Sequence, residues 1–298
     1  MGAGMDWDDL RFFLQVARTG RLTAAARALG VDHATVSRRI AALEGSLGAQ
    51  LLHRSPRGCT LTDAGMRLLP RAEAVESAAM AAAEEAGEGA ELSGAVRVGI
   101  PEGAASHLTV QAAAELVARN PRLELQIVAM PRTFSLSQRE ADFAIAITPP
   151  DQGRLRIRKI SDYTLSLYAA TGYLDAQRGG RPRTVDDLRR LRGVGYVQDL
   201  IFDKGLDYLS EVGPGLHPRL TSTSLLVQME LVRAGAGVGI LPDYMGARCE
   251  GLERVLADQV KITRSYWLVL HENSADLARV RLAAEALAAG IRARAQGG

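Results

Sequence analysis

Eight arginines (Arg11, Arg18, Arg21, Arg27, Arg38, Arg39, Arg54 and Arg57) stand between residues 11 and 57 against two acids, Asp32 and Glu44. This is a local net charge of +6 in a 298-residue chain whose overall charge is only +2. The chemistry such a cluster performs is phosphate recognition, in which guanidinium groups displace condensed counterions and make binding salt-dependent. Short side chains lie among the arginines: Thr23 upstream, then His33, Ala34, Thr35 and Ser37 leading to Arg38 and Arg39. These types hydrogen-bond base edges or pack on a thymine methyl in a major groove. The competing reading is a merely solvated arginine face, because this chain uses arginine almost everywhere and has only Lys159, Lys204 and Lys261 as lysines.

The elements that position these residues follow from spacing. Across residues 21–52, Ala26, Leu29, Gly30, Val31, Val36 and Ile40 fall where a helix-turn-helix needs a small contact, apolar anchors and a turn glycine. Gly30 permits a left-handed turn, and Asp32 is placed to cap a helix expected over 33–46. With Val36, Ile40, Leu43 and Leu47 facing inward, His33, Ala34, Thr35, Ser37 and Arg38 are left on the outer face. Residues 6–18 read as a supporting helix through Leu10, Phe13, Leu14 and Ala17. Residues 51–62 read as two short strands around Ser55-Pro56-Arg57-Gly58, a wing that carries Arg54 and Arg57 toward phosphates or a minor groove. An ordinary two-helix corner of some other helical domain is the alternative.

This order of elements resembles the N-terminal domain of LysR-type transcriptional regulators. The motif Ser-Arg-x-Ile-x-x-Leu-Glu-x-x-Leu-Gly is present as Ser37, Arg38, Ile40, Leu43, Glu44, Leu47 and Gly48. It is followed by Leu51, Leu52, His53 and Arg54, then by Leu61, Thr62 and Gly65. Leu52 stands where the family usually has Phe, and His33-Ala34 where polar pairs such as Gln-Ser are common, so no operator sequence transfers. The resemblance implies a sequence-specific regulator on double-stranded DNA with an inverted-repeat operator. It also implies a homodimer through a linker helix and commonly a homotetramer.

Residues 64–88 are alanine-rich and helix-favouring, interrupted only by Pro70, which is expected to kink the helix or mark a second start. Leu68, Leu69, Ala72, Val75, Ala79, Met80 and Ala83 form an apolar stripe suited to pairing, or to docking on the chain's own domain. Residues 84–94 read as a hinge. The expected organisation is therefore a winged helix-turn-helix over 1–63, a linker and hinge over 64–91, and an effector-binding domain over 92–298.

From residue 95 the pattern changes to strands alternating with helices, which argues an α/β domain built on a parallel sheet. Strands are expected at 95–100, 123–130, 141–147, 164–170, 193–197, 219–223 and 266–271, with GVGILP at 237–242. Helices are expected at 106–120, 185–191, 204–211, 224–234 and 276–295. Two crossings of the chain divide the domain into subdomain I (about 92–162 and 236–298) and subdomain II (about 163–235). The segments GAVRVGI, ADFAIAI and AGAGVGILP are similar to the effector domain of the same family, which has the architecture of periplasmic binding proteins. Gly235, Gly237 and Gly239 do not make GxGxxG and are read as a helix stop and turn.

Ligands of such folds collect at the carboxyl ends of strands. The candidates there are Glu102, Gly103 and Ser106, then Arg132 and Thr133, then Thr148, and from the second subdomain Gln198, Ser222 and Thr223. Free amides and hydroxyls with Arg132 suit a small carboxylate effector, whereas Glu102 suits a cationic or amino-bearing one. Ser106 beside His107 lacks a nucleophile elbow and a third triad member, and neither HExxH nor a P-loop is present. No enzymatic activity, cofactor or metal is expected. Cys59 and Cys249 have no partners at metal-ligand spacing. With 47% hydrophobic residues, no membrane-length apolar run and no secretory signal in MGAGMDWDDLRFF, a cytoplasmic location is expected. Two other readings stay open: a regulator controlled by a protein partner or its own concentration, and a binding protein or enzyme whose helix-turn-helix is incidental.

Overall fold

Asp6 opens the first helix, α1 (Trp7–Thr19), by accepting the Asp8 amide at 3.0 Å, and Gly20 closes it with a left-handed φ of 65°. The same punctuation recurs: α2 (Leu22–Leu29) stops at Gly30, and α3 (His33–Leu47) starts on Asp32 and stops at Gly48. The computed structural model describes residues 5–55, 58–86, 92–129, 141–212 and 216–295, which belong to two units, Met1–Ala90 and Glu91–Gly298.

In the first unit, Phe13, Leu14, Val16, Ala25, Val36, Ile40 and Leu43 form the core beneath the three helices. Leu47, expected inward, is 41% exposed; Leu51 and Leu52 are buried in its place and close that end of the core. The wing is an antiparallel pair, β1 (Leu52–Ser55) and β2 (Gly58–Leu61), with Leu52 opposite Leu61. Glu44 ties α3 to the wing by accepting the amides of Leu51 (2.8 Å) and Leu52 (3.3 Å). Helix α4 (Asp63–Ala86) starts beside Thr62, whose hydroxyl accepts the Gly65 amide and donates to the Gln50 carbonyl. A Cβ at Gly65 would lie 2.2 Å from the Leu51 carbonyl oxygen, so the close approach requires glycine. The Leu-Glu and Leu-Thr-x-x-Gly motifs are thus the two fasteners of the wing.

Helix α4 runs through Pro70 as one element, so of the two expectations there, a kink or a second start, the second start is not seen. Ala72 is buried and Leu68, Leu69 and Val75 pack against the first unit's own core, while Arg18 grips Glu76 through two hydrogen bonds of 3.1 and 2.7 Å. The first half of the stripe therefore serves the chain's own helix-turn-helix. Beyond it Ala79 is exposed, and the side chains of Met80 and Ala83 lie outside the described residues, as does most of the hinge.

The second unit begins with β3 (Gly94–Ile100), a first helical turn α5 (Glu102–Ala104), a π-helical turn at Ala105–Thr109 and α6 (Val110–Arg119). Next come β4 (Leu123–Ala129), β5 (Phe143–Ala146), the long β6 (Leu155–Ala170) and α7 (Thr171–Asp175). A 3₁₀ turn at Val185–Arg190 leads to β7 (Gly193–Gly195), two further 3₁₀ turns, α8 (Leu209–Val212), β8 (Pro218–Thr221) and α9 (Leu225–Arg233). The chain ends through β9 (Val238–Pro242), α10 (Asp243–Gly246), β10 (Leu252–Val255), β11 (Lys261–His271), α11 (Glu272–Ala275) and α12 (Ala278–Ala295).

All these strands join one sheet in the order β4-β3-β5-β11-β6-β9-β7-β8, with β10 on β6. The sheet is mixed, not parallel as expected: β3 pairs in parallel with β4 and β5, and β7 with β8 and β9, but β11 and β6 are antiparallel at its centre. Their register slips between Tyr266 and Trp267, opposite Ser161 and Lys159, and the strand sets β4-β3-β5 and β9-β7-β8 on either side of this pair are the two lobes. Strand β9, assigned from sequence to subdomain I, pairs with β6 and β7 of the second lobe, and β10 with the end of β6. No described helix is long and apolar enough to cross a membrane.

Candidate functional site

On the first unit, Asp32 caps α3 by accepting the Thr35 amide at 2.7 Å and the Thr35 hydroxyl at 3.0 Å. This capping turns His33, Ala34 and Arg38 outward, all exposed, with Thr35 and Ser37 half-buried beside them. Arg54 of β1 donates to the Ser37 hydroxyl at 3.1 Å, so wing and helix present one continuous edge. Arg21 and Thr23 are exposed at the start of α2. Arg38 has no hydrogen bond or ion pair with any described residue, and its guanidinium is left for an outside anion. Arg57 lies outside the described residues.

Arg39 is corrected out of this face. It donates to Asp6 (2.9 Å) and to the buried Asp9 (3.1 Å), and it rests 5.6 Å from the Phe12 ring centroid. One helical position away from Arg38, it turns toward α1 and secures α3, with its side chain 36% exposed.

The Asp32 cap gives a pH prediction. The Thr35 amide, followed by the Thr35 hydroxyl, holds the Asp32 carboxyl below the usual carboxylate range. A depressed folded-state value means that the cap's contribution is complete above an unfolded value of about 3.9 and is lost as pH falls through the folded value. Asp32→Asn keeps an acceptor but does not titrate. Melting curves of both chains followed from pH 7 to pH 3 should therefore show the wild type losing its advantage only below about pH 4; parallel curves would contradict the assignment.

On the second unit, a hollow of about 430 Å³, counting the open solvent at its mouth, lies between the two lobes at the carboxyl ends of β3, β5 and β7. Glu102 and Gly103 line it from the first lobe, and Thr223, Leu225 and Tyr196 from the second. Glu102 crosses the cleft: the Ser224 hydroxyl faces its two oxygens at 2.9 and 3.0 Å, and the Leu226 amide donates at 3.4 Å. Ser224 also accepts the Val227 amide at 3.2 Å. Of the α9 amides that the sequence leaves free for a carboxylate effector, that of Leu226 is thus engaged by a carboxylate of the chain itself and that of Val227 by the Ser224 hydroxyl.

The other candidates are dispersed. Gln198 lines a smaller neighbouring hollow with Tyr196, Tyr208 and Gln228. Thr148 donates to Asp203 at 2.7 Å, and Ser222 accepts the Ser224 amide at 3.1 Å, so both hydroxyls organise loops at the cleft. Ser106 is corrected out of the cavity: it donates to the Glu102 carbonyl at 2.8 Å within its own helix and contacts His107 Nδ1, a helical back-bond that faces solvent. Arg132 and Thr133 lie outside the described residues.

What the sequence reading missed is the aromatic wall. Tyr163 of β6 stacks on Tyr266 of β11 with ring centroids 4.3 Å apart and an interplanar angle of 11°, and Tyr196, Phe202 and Tyr208 complete the lining. Tyr244, behind them, shares a 2.7 Å hydrogen bond with Tyr266. Burial pushes the phenols of Tyr163, Tyr208, Tyr244 and Tyr266 well above their usual value and keeps them neutral. A signal was available: all seven tyrosines of the chain lie between residues 163 and 266.

Two family models match, described as "LysR substrate binding domain" over residues 89–292 and "Bacterial regulatory helix-turn-helix protein, lysR family" over residues 7–66. The Mau operon transcriptional activator of Paracoccus denitrificans is 27% identical, over 91% of this chain and 92% of the relative. A probable hydrogen peroxide-inducible genes activator of Mycobacterium avium is 31% identical, over 78% of this chain and 76% of the relative. Among solved structures, a full-length OxyR variant from Pseudomonas aeruginosa superposes with a TM-score of 0.73 at 22% identity, covering 97% of this chain and 98% of that one. Full-length LysG from Corynebacterium glutamicum gives 0.67 at 18% identity, covering 95% and 98%. The likeness to these two is one of fold.

Proposed function

This chain belongs to the LysR family of bacterial transcriptional regulators, and from that premise we propose which of its surfaces read DNA and which hold the signal. The DNA-reading edge is His33, Ala34, Thr35, Ser37 and Arg38 with Arg54 beside them, flanked by Arg21 and Thr23. The observation that carries it is the Arg54–Ser37 hydrogen bond, which fuses wing and recognition helix into one polar, cationic ridge. Two copies paired through α4 place two ridges on an inverted-repeat operator, and the assembly reaches a tetramer in the cytoplasm. Functional boundaries are drawn near residues 63 and 91, a reading supported by the start of α4 at Asp63 and the division of the chain after Ala90.

The signal is a small effector in the tyrosine-walled cavity. Because the cavity is bounded by both lobes, a ligand there favours one degree of lobe closure and shifts the population of assemblies that place the DNA-reading units differently. The name of the mycobacterial relative points to an oxidant signal, but the second unit here has Cys249 as its single cysteine, so thiol pairing inside that unit has no second sulfur. The test is a footprint of the full chain on the DNA flanking its own gene, with and without a metabolite panel. A two-fold symmetric footprint whose extent changes with one compound is expected. A footprint without symmetry, or one indifferent to every compound, would contradict the reading.

A further inference from the structure

We propose that the effector of this cavity is a small organic cation, an alkyl- or quaternary ammonium, held against Glu102 and the aromatic wall of Tyr163, Tyr196, Tyr208 and Tyr266. The inference rests on the cavity being the effector site and specifies its chemistry. Among the described lining residues Glu102 is the one ionisable carboxylate, and none is a lysine, arginine or histidine. Its hydrogen-bond partners, Ser224 and the Leu226 amide, are neutral, and none of the described basic side chains pairs with it. Among the described residues this site presents negative charge without a countercharge, beside aromatic rings whose faces attract cations. Tyr196 lies near enough to Glu102 that, after burial, the carboxylate further raises its phenol.

The chain already shows one such contact at the edge of the wall. The Arg264 guanidinium lies 5.6 Å from the Tyr208 ring centroid and is neutralised by Glu211. His107, which faces Tyr244 from behind with 6.3 Å between ring centroids, is pushed below the usual imidazole range by burial and then by the Arg248 charge, which favours its neutral form. An anionic effector, by contrast, meets the Glu102 oxygens at the helix terminus where it would otherwise bind. The limited free space favours a compact ligand.

The experiment titrates the full chain with ammonium ions graded from methylammonium through tetramethylammonium to choline, with 3,3-dimethylbutan-1-ol as the neutral isostere of choline, and with acetate and benzoate. Ionic strength is matched, and calorimetry and thermal unfolding are the readouts. At least one ammonium should bind and raise the melting temperature while the neutral isostere does not. Glu102→Gln, which retains an acceptor for Ser224, and Tyr196→Leu should each weaken that binding by about tenfold. Binding of the carboxylates without the ammonium ions would overturn the cation assignment and leave the cavity as the effector site. Ammonium binding indifferent to both substitutions would overturn its placement here. No binding from either class would overturn both the cation inference and the effector reading of the cavity.

Discussion

Replacing Asp243 by alanine should lower the stability of the second unit by about 2–4 kcal/mol, the largest loss expected from any single polar substitution there. Asp243 is buried at the start of α10 and accepts from the Thr164 hydroxyl at 2.5 Å and the Tyr168 hydroxyl at 2.8 Å, with Arg254 Nε 3.5 Å away. Tyr168 in turn accepts from Arg254 at 3.0 Å. One carboxylate therefore fastens β6, β9 and β10 where those strands meet. Burial pushes the Tyr168 phenol up to about 12, so it stays a donor at every pH at which the protein is folded. Alanine leaves the Thr164 and Tyr168 hydroxyls without their acceptor at a buried position and removes the carboxylate beside Arg254, whose side chain is 38% exposed. Asparagine retains one acceptor and should lose about half as much. Urea unfolding of the full chain measures both, and a loss below about 0.5 kcal/mol for alanine would show that the network is not structural. Because Pro242 lines the cavity next to Asp243, the alanine chain should also lose its response to any ligand bound there.

How much of this was legible in the sequence depends on how far apart the cooperating residues lie. Gly30, Asp32 and Gly48 each act on backbone within a few positions, so a local reading places the two helices of the helix-turn-helix to within about one turn. The start of α4 at Thr62 is local in the same way. Arg39 was misplaced because its partners, Asp6 and Asp9, lie about 30 positions upstream and no local pattern connects them. The first half of β6 reads Arg156, Arg158 and Lys159 on exposed positions, so it shows no apolar run, and the long antiparallel centre of the sheet was invisible. Without that strand the order suggested a parallel sheet. Glu102 meets Ser224 across 122 positions, and Tyr163 meets Tyr266 across 103. Each residue has an ordinary local role to suggest, a helix start or a strand position, and only the topology turns them into one wall.

Arg38→Ala should reduce affinity for the operator by at least about 30-fold while leaving unfolding of the chain unchanged. A base or phosphate contact by arginine is worth about 1–3 kcal/mol, and a symmetric dimer loses it twice. Arg38 is free to make that contact because it is exposed and has no partner among the described residues. Arg39→Ala provides the contrasting outcome. It leaves the buried Asp9 without its guanidinium and should lower the melting temperature of the first unit, with operator affinity changing only as far as folding does. Titrations at two salt concentrations separate the ways in which Arg38 acts. If it neutralises phosphate, the alanine chain loses about one unit of salt slope per half-site and weakens on all sequences alike. If it reads a base edge, the slope is nearly kept and discrimination relaxes at one operator position. Arg54→Ala should follow the phosphate pattern, and because it also frees the Ser37 hydroxyl, the two substitutions together should fall short of additive. Equal affinity and equal salt slope for wild type and Arg38→Ala would remove this edge of α3 from the DNA and leave the wing to be tested on its own.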